Sequence, residues 1–129
     1  DIVSLHMPGN HNGSPVLAGQ DFSRMRKGAV LINTARGTLL DEDALYQALT
    51  IGPLGAAGLD VTRDEPPAKD LALLTLDNVL LSPHIAGVTR EAFRAMGLRA
   101  VQNCLDAFDG KLDDYYLVNP EVLAGRGGR

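Results

Sequence analysis

Gly28-Ala29-Val30-Leu31-Ile32-Asn33-Thr34-Ala35-Arg36-Gly37-Thr38-Leu39-Leu40-Asp41-Glu42-Asp43-Ala44-Leu45 reads as an apolar run of strand length, a polar turn with one arginine among small residues, and the acidic start of a helix. A strand feeding a loop and then a helix is the repeating unit of a parallel sheet. In open sheets of that kind ligands bind outside the carboxyl ends of the strands, and Arg36 stands at such an end. Its planar guanidinium matches a carboxylate at two points. The plainer alternative is an arginine that only ties down its loop.

Working outward, Val16 to Lys27 carries Leu17, Phe22 and Met25 at helical spacing and ends in Arg26-Lys27 before Gly28, which predicts a short helix with basic last-turn residues. Asp1 to Met7 is a short apolar strand closed by Pro8-Gly9-Asn10, and Asn10 to Pro15 is a surface loop. On the other side, Asp41 can cap a helix to about Ile51, with Glu42 and Asp43 at the positive end of its dipole. Ala44, Leu45, Ala48 and Leu49 form its buried stripe, and Gly52-Pro53 stops it. Gly55 to Val61 is the next apolar strand. These spacings predict right-handed crossovers and a parallel α/β sheet covered on both faces.

Regularity breaks at Thr62-Arg63-Asp64-Glu65-Pro66-Pro67, where two adjacent prolines forbid a helix. Leu71 to Leu76 is a short apolar turn, and Val79-Leu80-Leu81 a fourth strand running into Ser82-Pro83-His84-Ile85-Ala86-Gly87. Thr89 can cap a long helix from about Arg90 to Asp109, with Phe93, Met96, Ala100, Val101, Cys104, Leu105 and Phe108 along one face. Cys104 reads there as a small core residue, with a reactive thiol as the alternative. Lys111 to Arg129 is expected to be extended, its basic end, Gly125 to Arg129, a frayed terminus.

The composition bounds the function classes. A chain of 129 residues with 45% hydrophobic residues suits one ordinary globular domain. No apolar run approaches the roughly 20 residues of a membrane span, so no membrane is expected. The net charge of −4, with no face concentrating Lys and Arg, argues against nucleic acid. The one cysteine fits a reducing compartment, and a cytoplasmic location is expected. No basic segment precedes the first strand, so no signal peptide is expected. A start inside a strand, without an initiator Met, suggests a piece of a longer protein.

Chemistry concentrates in loops that leave presumed strand ends: Arg36, then Asp60 with Glu65, then His84. His84 sits between a proline and a small, Gly-bearing stretch that would admit a flat ring or a ligand. Imidazole is the side chain whose charge changes near neutral pH, and a carboxylate on its far nitrogen would fix the tautomer and favour a general acid. Glu65 is the candidate, against the reading of one more solvated acid beside Asp64. His6, taken alone, reads as a packed or solvated strand-end side chain.

The runs Val30 to Gly37, Gly58-Leu59-Asp60-Val61 with Glu65-Pro66, and Ser82 to Gly87 together resemble the D-isomer-specific 2-hydroxyacid dehydrogenases, collinearly from Asp1 to about Val122. The resemblance implies a partial Rossmann-like, doubly wound parallel sheet of about four strands, with a long C-terminal helix leading to a remnant of the substrate domain. Residues 1–88 would be the C-terminal half of the NAD-binding domain, and 89–129 the linking helix and C-terminal segment of the substrate domain. It implies catalytic roles for three residues. Arg36 would clamp the substrate carboxylate, His84 would be the proton donor or base, and Glu65 the acid that bonds His84. Asp60 would take the nicotinamide carboxamide. Thr34, Ala35, Ala86 and Gly87 would line the nicotinamide end, with Arg36 and His84 beside it, and His6, Met7 and Pro8 the adenosine side.

The implied cofactor is NAD, by family default over NADP, and no metal is expected. The implied partner is a small 2-hydroxy or 2-oxo acid, 3-phosphoglycerate foremost, with a homodimer in the full-length protein. Two departures accompany the resemblance. Gly9-Asn10 and Gly13 stand where the family usually has threonines, and no Gly-x-Gly-x-x-Gly follows any strand. The expectation is therefore the C-terminal part of a longer dehydrogenase, inactive on its own. Glu65 speaks against the related formate dehydrogenases, which carry Gln there. A non-catalytic, corepressor-like binding protein on the same scaffold is the alternative reading.

Overall fold

The structure is a computed structural model and describes residues 1–10 and 12–121. The expectation for the basic end of the chain, 125–129, lies outside the described residues. The chain divides into two compact units, Asp1–Gly87 and Val88–Arg129.

In the first unit β1 (Ile2–Leu5), β2 (Ala29–Asn33), β3 (Leu54–Leu59) and β4 (Val79–Leu81) form one sheet in the order β1-β2-β3-β4. Every neighbouring pair is parallel. The parallel α/β architecture is thus as the spacing of apolar runs predicts. Helices α1 (Gly19–Ser23) and α2 (Glu42–Thr50) make the first two crossovers. Right-handed crossovers that always step the same way put their helices on one face, and α1 and α2 touch each other there. The core under them joins Phe22, Leu31, Leu45, Leu49, Leu59 and Leu73.

That one-sidedness corrects the expectation of a sheet covered on both faces. Ala29, Leu31 and Asn33 of β2 are buried while Val30 and Ile32 are only half-buried, the period of two of a strand with one covered face. Ile2 pairs with Val30, and Leu80 lies in register with Gly58 and so with Ile32. On that face Ile2 and Leu80 are 71% and 73% exposed.

The helix predicted over Val16–Lys27 is confined to α1. Leu17 instead bridges to Leu40, with Val16 N and Leu17 N both donating to Leu39 O, at 2.8 and 3.0 Å, and Asp41 N donating to Leu17 O at 3.0 Å. These long-range partners replace a first helical turn, and α1 starts only where Asp21 Oδ2 accepts from Ala18 N at 2.9 Å. Past α1, Ala29 N donates to Arg26 O at 3.0 Å. Gly28, with φ 82°, occupies the third position, where a type II turn requires positive φ. Arg26 and Lys27 therefore belong to a turn and not to a last helical turn. Helix α2 begins as the sequence predicts, with Asp41 Oδ1 accepting from Ala44 N at 3.0 Å, and buries Leu45, Ala48 and Leu49.

The second unit is built on α3 (Arg90–Phe108), capped by Thr89 Oγ1, which accepts from Ala92 N at 3.1 Å. None of its residues is buried. The apolar stripe is present at the predicted spacing, but Phe93, Met96, Val101, Leu105 and Phe108 are all exposed, as is Cys104. The core reading of Cys104 is corrected accordingly: an apolar stripe is buried only against a second layer, and within its own unit α3 has none among the described residues. The expected extended segment contains one turn of 3-10 helix at Asp114–Tyr116, because Asp113 Oδ1 accepts from Tyr115 N at 2.9 Å. There Tyr115 and Tyr116 meet edge to face at 5.2 Å, and the Arg99 guanidinium lies 5.1 Å from the Tyr116 ring centroid.

Candidate active site

Register aligns Asn33, Leu59 and Leu81 at the carboxyl edge of β2, β3 and β4. The loops that follow carry Arg36, then Asp60 and Glu65, then His84. Asn33 is fully buried, and its side chain turns back on its own loop: Oδ1 accepts from Ala35 N at 3.0 Å and Nδ2 donates to Arg36 O at 2.9 Å. Arg36 is thereby held in extended backbone with its side chain exposed, Nη1 donating to Ala35 O at 2.6 Å. Gly37 then passes so close to the next loop that a Cβ there would collide with the Thr62 carbonyl. Glu42 Oε1 completes the link by accepting from Arg63 N at 2.7 Å. The arginine loop and the Glu65 loop are packed as one.

Arg36, Thr34 and Ala35 line one side of an open cleft of about 340 Å³, and His6, Met7 and Pro8 line the other. All the residues expected at the two ends of the cofactor on β1 and β2 thus share one depression. His6 Nε2 lies 2.7 Å from Ser4 Oγ.

The third loop is organised by Asp60, which is 4% exposed. Its Oδ1 accepts from Ser82 Oγ at 2.6 Å and from Ile85 N at 2.9 Å, and its Oδ2 from Ala86 N at 2.8 Å. Its backbone carbonyl accepts from His84 N at 2.8 Å. Burial works to raise the carboxyl's pKa, but the Ser82 hydroxyl, the Ala86 and Ile85 amides and the nearby His84 charge outweigh it and lower the value below the ordinary 3.8. Within this clasp His84 adopts φ 54°. That is the left-handed region, where a non-glycine residue costs on the order of 1 kcal/mol, which the surrounding hydrogen bonds must offset.

The His84 ring is aimed by Glu65. Nδ1 lies 2.7 Å from Glu65 Oε2, and Glu65 Oε1 accepts from Thr62 N at 3.3 Å. Both side chains are partly open, at 49% and 39% exposure. The hydrogen bond from His84 is the main reason the Glu65 carboxyl stays below its ordinary 4.5; partial burial and the Asp60 charge oppose it, while the Thr62 amide and the His84 charge support it. With Nδ1 engaged, Nε2 is the nitrogen left to give or take a proton. A cleft of about 410 Å³ with Pro66, Leu74 and Pro83 in its walls opens beside the pair.

Glu65, His84 and Asp60 are brought together in one bonded cluster. Arg36 leaves the same sheet edge one strand beyond β3 and lines the other cleft, and the ends of β2 and β4 are about 10 Å apart at ordinary strand spacing. Ala86 binds Asp60 through its amide, and a Cβ on Gly87 would meet nothing within 4 Å, leaving open space at the end of the loop. Sequence reasoning missed Asn33 and Ser82 as site residues. The available signal was the same for both: a small polar side chain ending an apolar strand and next to a candidate catalytic loop.

Residues 1–86 match the D-isomer specific 2-hydroxyacid dehydrogenase, NAD binding domain, family. The chain is 41% identical over 128 residues to D-3-phosphoglycerate dehydrogenase 2, chloroplastic, of Arabidopsis thaliana, covering 96% of this chain and 20% of that protein. It is 42% identical over 122 residues to glyoxylate/hydroxypyruvate reductase B of Klebsiella pneumoniae (strain 342), covering 95% and 38% respectively. Among solved structures, D-lactate dehydrogenase with NAD+ from Lactobacillus jensenii matches with a TM-score of 0.78 at 32% identity, over 86% of this chain and 37% of that one. The chain therefore spans well under half the length of these relatives. On the match over residues 1–86, and on a parallel sheet with its polar loops at one edge, this chain belongs to the NAD-binding domain family of the D-isomer-specific 2-hydroxyacid dehydrogenases.

Proposed function

We propose that the full-length protein containing this chain interconverts a small D-2-hydroxy acid and its 2-oxo acid with NAD(H). In this reading residues 1–88 form the C-terminal half of the cofactor domain, and 89–129 a linking helix with the C-terminal segment of the substrate domain. The carrying observation is the His84–Glu65 pair, 2.7 Å apart, at the edge of a parallel sheet that also presents Arg36.

The residues suit the cofactor. The cleft lined by His6, Met7, Pro8, Thr34, Ala35 and Arg36 is open at the strand ends, where such sheets take ligands. Three donors occupy the Asp60 carboxylate, which can accept about four, so Asp60 can take a carboxamide N–H as well. When bound, NADH supplies the hydride. Arg36 binds and orients the substrate carboxylate through charge-assisted bonds. His84 delivers a proton from Nε2 to the carbonyl oxygen as it becomes a hydroxyl, and takes it back in the oxidative direction, while Glu65 holds the tautomer and stabilises the imidazolium.

The substrate reading is 3-phosphoglycerate first, supported by resemblance to phosphoglycerate dehydrogenases. Homodimerisation in the full-length protein rests on the same resemblance. A cytoplasmic location is supported by the one cysteine in the sequence, Cys104. The test is a panel of 2-oxo acids with the full-length protein, followed by loss of reduced-cofactor absorbance. Turnover of at least one is expected, and none on any would defeat the dehydrogenase reading.

A further inference from the structure

We infer that Ser82 is a positioning residue for the imidazole: by donating its hydroxyl to the buried Asp60 carboxylate it holds the loop that sets the backbone and aim of His84. The inference rests on the proposed dehydrogenase reading for its kinetic part and on geometry alone for its structural part.

Four donors from residues 82–86 converge on Asp60: Ser82 Oγ, His84 N, Ile85 N and Ala86 N. Three of these are backbone amides and survive any side-chain change. The fourth, Ser82 Oγ to Asp60 Oδ1 at 2.6 Å, is the one contact contributed by a side chain of the loop, and a hydroxyl on a carboxylate is among the stronger hydrogen bonds. Ser82 is also tied in through its backbone: its N donates to Leu59 O at 2.9 Å and its O accepts from His84 N at 3.0 Å. The bifurcated His84 amide, shared between Asp60 O and Ser82 O, fixes where the left-handed residue begins.

A φ of 54° is uncommon for any non-glycine residue, and at His84 the clasp on Asp60 holds it there. Glu65 constrains the ring from the far side through Nδ1. Ser82 thus does for the main chain of His84 what Glu65 does for its ring. Without the Ser82 hydroxyl the loop hangs on its backbone amides alone, the main chain around His84 gains freedom, and Nε2 is held less closely where the substrate oxygen must lie. Misplacement by about 1 Å costs on the order of a hundredfold in rate.

The experiment compares wild type, Ser82→Ala and Ser82→Thr in the full-length protein by steady-state kinetics on the best 2-oxo acid, by cofactor titration and by amide hydrogen exchange. In Ser82→Ala, kcat should fall by roughly ten- to a hundredfold, with KM for the acid and cofactor Kd within about threefold. The amides of His84, Ile85 and Ala86 should exchange roughly tenfold faster. Ser82→Thr, which keeps the hydroxyl, should restore both. An unchanged kcat with unchanged exchange, or a loss that Thr does not rescue, overturns the inference. So does a loss shared equally by kcat, cofactor affinity and thermal midpoint, which would mark a merely structural residue. Should wild type turn over no 2-oxo acid, the dehydrogenase reading fails while the exchange data still decide whether Ser82 holds the loop.

Discussion

Glu65 Oε2 lies 2.7 Å from His84 Nδ1, joining a loop after β3 to a loop after β4 across 19 residues of sequence. That bond holds the Glu65 carboxyl below its ordinary 4.5, so the charged form is favoured by folding. A carboxyl with a depressed folded pKa contributes stability that is complete above its unfolded value and is lost as pH falls through the folded one. The urea midpoint of wild type should therefore exceed that of Glu65→Gln just above pH 4.5, and the margin should shrink as pH falls below that value. A margin that goes on growing as pH falls below 4.5 would contradict the pairing.

In the proposed reaction Arg36 binds the substrate carboxylate and His84 moves a proton, so their loss should show in different kinetic constants. In the full-length protein Arg36→Ala should raise KM for the 2-oxo acid roughly ten- to a hundredfold, the scale of about 1.5–3 kcal/mol for hydrogen bonds to a charged group. His84→Ala should lower kcat by about 10²–10⁴-fold, the range of general acid–base catalysis, with cofactor affinity retained. Titrating reduced cofactor into both variants checks the division, and equal loss of cofactor affinity in the two would remove it.

The fold was legible where local pattern and tertiary packing agree. The apolar run Ala29–Asn33 followed by the acidic cap at Asp41 could be read directly, and so could Thr89 at the start of α3. Where a distant partner decides, the sequence was silent. Leu17 pairs with Leu40 and so stays out of α1, a choice no window around Leu17 contains. The stripe on α3 shows what that helix can bury and not whether its own unit supplies the covering layer. Arg36, Glu65 and His84 stood out because, together, the runs that hold them resemble the D-isomer-specific 2-hydroxyacid dehydrogenases; taken singly, a loop arginine and an acid beside Asp64 look like solvated charges. Asn33 and Ser82 did not, because their roles come from the return path of a loop, and an amide or hydroxyl at a strand end looks like any turn residue.

Asn33 offers a direct test of that hidden layer. Asn33→Ala would strip partners from the Ala35 amide and the Arg36 carbonyl at a position with no solvent exposure. Leaving a buried polar group unsatisfied costs roughly 1–3 kcal/mol, so the urea-derived stability should fall by about that amount. In the full-length protein KM for the 2-oxo acid should rise as well, because the Arg36 main chain is no longer fixed. A stable variant with unaltered KM would show that the loop holds its shape without the amide.

Gly37 tests the packing of the arginine loop on the Glu65 loop. A Cβ at residue 37 would meet the Thr62 carbonyl and the Arg63 amide, which are backbone atoms that cannot rotate aside. Gly37→Ala must therefore push the two loops apart, at a cost of typically about 1–3 kcal/mol for overpacking, and should weaken the Glu42–Arg63 hydrogen bond with it. Gly97→Ala is the matched control: it lies within α3, where an added Cβ meets nothing within 4 Å. Alanine there should raise helix stability by about 0.5–1 kcal/mol. Opposite signs in the urea midpoints of the two variants are expected. Equal effects would mean that the contact between the loops is loose enough to admit a methyl group, and that Arg36 and Glu65 are not held in register by it.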